Sequence, residues 1–266
     1  TVMEEAKKTL SSYLQTHFFA GLSDKQHQLH ILKTLLTSII DNFICITQHN
    51  TVFPDIKVEN MAIACDPDET QVLFIDVDGL LTLRTEDGKV PFPRFGPTLR
   101  QIGRMPIATY APGELAIDGS DPFYDETKTI FLSLYAFLVT LIDIICIFGM
   151  RTHRINPDNV SRGPQGLRGL TAKEGYIQIL HPKMNACFNE INQYLPNEDA
   201  TGILELLQVI NLELEWQCFY NNIVTATTDP NEALFMVKKV AHLCRRRISS
   251  GVESMDTTTS FRSNIM

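Results

Sequence analysis

A chain of 266 residues with 44% hydrophobic side chains can bury a substantial core, in one large domain or two small ones. Its formal net charge of -8 excludes the broad basic surface that neutralises phosphates, so nucleic acid is not expected as a partner. The six cysteines are scattered, with no C-x-x-C pair and no metal-ligand spacing, and read as buried thiols in a reducing, intracellular setting. Asn159-Val160-Ser161 pulls the other way, because it has the form of a glycosylation acceptor.

In chain order, Ser23-Asp24-Lys25-Gln26 has the form of a capping box, with Ser23 as the cap, and predicts a helix start. Leu29, Leu32, Leu36, Ile39, Ile40 and Phe43 recur at three- and four-residue steps, so that helix has one apolar face. It should end between Phe43 and Gln48, with Asn50 in a turn. Met61-Ala62-Ile63 and Val72-Leu73-Phe74-Ile75 flank the polar turn Asp66-Pro67-Asp68-Glu69, the pattern of a short hairpin. Residues 80–112 have no sustained period and read as a long loop of the kind that carries function. Helices are predicted over 129–148, 202–223 and 231–248, with a loop over 151–169 and a frayed tail over 249–266. The apolar run 130–150 is long enough to suggest a membrane span, but it contains Ser133, Thr140 and Asp143, and a buried central helix is the expectation.

The chemistry concentrates in Asp55-Ile56-Lys57-Val58-Glu59-Asn60, an acid, a base and an amide at fixed offsets between a helix and a strand. Asp76 follows the second strand of the hairpin. Phosphoryl transfer needs this set: an Asp to accept the hydroxyl proton, a Lys near the phosphate, and an Asn with a second Asp to hold the metal.

These residues resemble the eukaryotic protein kinase superfamily, and the resemblance runs from a hinge-like Val2-Met3-Glu4-Glu5-Ala6 to Thr109-Tyr110-Ala111-Pro112-Gly113-Glu114, similar to the end of an activation segment. It implies a mainly α kinase-like C-lobe with a few short β-strands over residues 1–248. Within it, residues 1–22 are the hinge and following helix, 23–75 the long helix and catalytic loop, 76–114 the activation segment and 115–248 a helical subdomain. It implies Asp55 as catalytic base, Lys57 as phosphate contact, Asn60, Asp76 and Asp78 at magnesium, and Met3, Glu4 and Ala6 beside the adenine of ATP. The activity implied is Mg-ATP-dependent transfer to Ser or Thr hydroxyls of a protein substrate. The chain begins at the hinge equivalent, so the phosphate-covering lobe is expected upstream of Thr1.

Two departures stand out. Phe53-Pro54 replaces the His-Arg before the catalytic Asp, and Asp76-Val77-Asp78 replaces D-F-G. They keep open a pseudokinase that binds a protein partner. Phe74-Ile75-Asp76-Val77-Asp78-Gly79-Leu80-Leu81-Thr82 is also similar to the first motif of haloacid dehalogenase-type phosphatases, with Asp76 as nucleophile and Asp78 as acid/base. That family needs a later acidic pair and alternating strands, which residues beyond 125 do not supply. Taken singly, Asp55, Asn60, Asp76 and Asp78 also suit ordinary turns and caps. The seven histidines show no ligand spacing, and Arg245-Arg246-Arg247 reads as a solvated helix end.

Overall fold

Asp24, rather than Ser23, caps the first long helix. The computed structural model describes residues 6–14, 24–64, 71–75, 77, 80–82, 115, 126–149, 170–215, 219 and 229–250. The carboxylate of Asp24 accepts from the amides of Gln26 (2.9 Å) and His27 (3.4 Å), which satisfies donors the helix itself leaves open. Strand β1 (Ala6–Thr9) and the short helix α1 (Leu10–Tyr13) precede it, and the capped helix α2 spans Lys25–Gln48. Its predicted apolar stripe is buried throughout, and Leu35, Ile44 and Thr47 extend it. Asn50 follows with φ 52, a left-handed conformation that Asn tolerates better than most residues, and its side-chain oxygen accepts from Lys238 at 2.9 Å.

The hairpin forms as expected. Strand β2 (Thr51–Val52) leads into a loop and a 3₁₀ turn (Val58–Asn60), followed by β3 (Met61–Ala64) and β4 (Val72–Phe74). Strands β3 and β4 pair antiparallel through Met61↔Phe74, Ala62↔Leu73 and Ile63↔Val72. On its other edge β3 pairs with β1, completing a three-stranded antiparallel sheet in the order β1-β3-β4. A second ribbon was not predicted. Strand β5 (Leu81–Thr82) pairs with β2 through Thr51↔Thr82 and Val52↔Leu81, inside the stretch read as loop. Two residues are too few for a periodic signal, and only the partner strand reveals them.

Beyond the strands the described chain is helical. Helix α3 (Glu126–Gly149) packs against α2, and then against α5 (His181–Asn192), α6 (Glu198–Leu214) and α7 (Pro230–Ser249). By length and hydropathy both α2 and α3 could cross a membrane, but the apolar window of α3 is 100% buried within the protein, as a central helix requires. Phe137 of α3 stacks on Phe43 of α2, ring centroids 3.9 Å apart, at the middle of the core.

Both boundaries of α6 depart from expectation. Asn197 caps α6 by accepting from the amides of Asp199 (2.8 Å) and Ala200 (3.0 Å), so the helix begins a turn earlier than predicted. It leaves helical geometry at Glu215. The helical run from α4 (Ala172–Gly175) to α5 falls within the predicted helical subdomain, although its segments were not delimited from sequence. Thr171 and Glu174 form a reciprocal capping box at its start. A π turn over Tyr176–Leu180 then precedes Pro182, whose ring and missing N–H disfavour a regular α turn there. The loop expected over 151–169, the turn over 65–70 and the tail beyond 250 lie outside the described residues.

Candidate functional site

The short segment between β2 and β3 packs against α1 and α3. Phe53 is buried, its ring meets Phe74 of β4 edge-on at 5.9 Å, and its amide donates to Ser133 Oγ of α3 at 3.0 Å. Thr140, two turns further along α3, holds its hydroxyl 3.0 Å from the carbonyl oxygen of Ile56 and 2.7 Å from that of Ala136. The loop is therefore pinned at both ends by one rigid helix. Backbone groups that no strand or helix could pair are satisfied by two hydroxyls seven residues apart, on the same face of α3.

Within that loop three expected residues come together. Lys57 Nζ lies 2.7 Å from Asp55 Oδ2, and Asn60 Nδ2 donates to the same oxygen at 3.1 Å and to the Asp55 carbonyl at 3.0 Å. Both acceptors belong to Asp55, which assigns the nitrogen end of the Asn60 amide and directs Oδ1, the end able to ligate a hard cation, away from the carboxylate. The 3₁₀ turn is what allows the contact: the Asn60 amide bonds the Lys57 carbonyl at 3.0 Å and curls the chain back on itself. Asp55 is 8% exposed and Asn60 5%, whereas the Lys57 side chain keeps 22% of its surface, so the cation marks the solvent side of the cluster.

The end of β4 returns to the same place, since the Ile75 amide donates to the Asn60 carbonyl at 2.9 Å. Asp76 and Asp78 follow in sequence and lie outside the described residues, as do Met3 and Glu4. Ala6 lies at the far end of the sheet, opposite Ala64, whereas Asn60 directly precedes the other end of β3. Among the described residues no group of three or more His, Cys, Asp or Glu side chains converges as a metal site. A partly buried carboxylate fixed by a cation and an amide can accept a proton from a bound hydroxyl and present positive charge to an anion beside it.

Ser133 and Thr140 were read from sequence only as polar interruptions of an apolar run. Their seven-residue spacing was a usable signal, because two hydroxyls on one face of a buried helix need backbone partners. No protein-family model, curated protein or solved structure matches this chain.

Proposed function

We propose that this chain is the C-lobe of a divergent protein kinase, which with an upstream lobe transfers phosphoryl groups from Mg-ATP to Ser or Thr hydroxyls of a protein. The observation that carries the reading is the Asp55–Lys57–Asn60 cluster, held between β2 and β3 and backed by one central helix. The β2–β5 ribbon supports it further, because it ties the chain before the Asp55 loop to the chain after Asp76-Val77-Asp78. Those two loops must lie together for the four residues to act as one site.

In this reading Asp55 orients the substrate hydroxyl and accepts its proton, and Lys57 places positive charge beside the transferring group. Asn60 Oδ1, with Asp76, would hold magnesium, which when bound would neutralise negative charge on the transferring phosphate. The resemblance in sequence places Met3, Glu4 and Ala6 at the adenine. The test is transfer of labelled phosphate from Mg-ATP by the full-length protein. An Asp55→Ala variant should lose about 100-fold or more, whereas undiminished transfer by that variant would overturn the mechanism.

Phe53-Pro54 favours a second reading, a pseudokinase that binds a protein partner. Pro54 offers neither a side-chain cation nor an N–H, so the loop cannot read a phosphate on an activation segment as an Arg would. Nucleotide binding without turnover in the full-length protein would select it. The phosphatase reading ranks third, because among the described residues every strand pair is antiparallel and the elements beyond the strands are helical.

A further inference from the structure

We propose that Cys146 of α3 and Cys187 of α5 form a disulfide that locks the central helix to α5. Their sulfurs lie 3.2 Å apart, both side chains are buried, and each is a thiol in the structure. A formed bond needs about 2.05 Å, so closure asks for roughly 1 Å of sulfur movement. Helices α3 and α5 already pack along one another, and Met184, Cys187 and Ile191 form the buried stripe of α5, which aims Cys187 at its partner. The proposal is independent of the kinase reading.

The chemistry favours Cys187 as the first nucleophile. Its thiol is held below the ordinary cysteine value, chiefly by its hydrogen bond with the Cys146 thiol and also by Lys183 one turn earlier, although burial acts in the opposite direction. Cys146 is raised by the same hydrogen bond, by burial and by Asp143. The oxidant is a low-molecular-weight disulfide such as glutathione disulfide. The Cys187 thiolate attacks one of its sulfurs and expels one thiolate, leaving a mixed disulfide. Cys146 loses its proton and attacks the Cys187 sulfur, expelling the second. Two protein thiols are oxidised, one external disulfide becomes two thiols, and the protons pass to the expelled thiolates. Because both sulfurs are enclosed, exchange happens as α5 docks or when it lifts locally.

The test is refolding of the chain in glutathione disulfide, quenching with N-ethylmaleimide under denaturing conditions, and peptide mapping by mass spectrometry. The expected result is a Cys146 peptide joined to a Cys187 peptide, with both becoming alkylatable only after reduction. Reduction should also lower the Tm by about 5 °C or more, and a Cys187→Ala variant should show no such response. Full alkylation of Cys146 and Cys187, in a sample where the exposed Cys45 has been glutathionylated and the oxidant was therefore active, would overturn the proposal.

Discussion

The backbone amide of Phe53 donates to the hydroxyl of Ser133, 80 residues later in the chain, at 3.0 Å in a fully buried environment. Together with the bond from Thr140 to the Ile56 carbonyl, it fixes where the Asp55 loop sits on the central helix. Ser133→Ala leaves a buried N–H without its acceptor, and the expected cost is about 1–3 kcal/mol. Urea denaturation checks it, with the midpoint falling at unchanged slope.

Asn60→Ala removes both bonds to Asp55 while leaving the Lys57 ion pair in place. If Asn60 also holds magnesium, the variant should need several-fold more Mg²⁺ for half-maximal phosphate transfer. A purely structural role predicts lower stability with an unchanged Mg²⁺ requirement. Titration of the metal in the transfer assay separates the two.

Gly202 lies where α6 crosses α7, and a Cβ there would run into the carbonyl oxygen of Ile248. In an open helix Gly→Ala stabilises by up to about 1 kcal/mol. Here the sign should reverse. Gly202→Ala should destabilise by about 1–3 kcal/mol, because the obstacle is backbone and cannot rotate away. Thermal unfolding of the variant reads the sign directly.

Burial raises the pKa of the Glu213 carboxyl on α6, and Lys239 of α7 offsets this in part. A carboxyl raised in this way binds its proton more tightly in the folded state than in the unfolded one. Its contribution is complete below the ordinary value of 4.5 and is lost as pH rises through the folded value. Glu213→Gln, which mimics the protonated form, should therefore match the parent in acid and become the more stable of the two toward pH 7. Denaturation curves across that range test it.

Much of this protein is decided by periodicity and local chemistry. The stripe from Leu29 to Phe43 dictates a helix with one buried face, and the alternation of apolar runs and polar turn at 61–75 dictates a hairpin. Asp55, Lys57 and Asn60 could be nominated together because their side chains belong to one short segment. The capping box at Thr171 and Glu174 is equally local, a pair three residues apart whose side chains cap the helical run it begins.

What only the tertiary structure decided are the pairings between distant segments, which no local pattern encodes. The β2–β5 ribbon, the pinning of the loop by Ser133 and Thr140, the approach of Gly202 to Ile248 and the meeting of Cys146 with Cys187 each join residues far apart in the chain. Sequence determines which faces are apolar and which groups need partners. Packing around α3 determines which partners they find, because burial leaves each polar group few geometries in which it is satisfied.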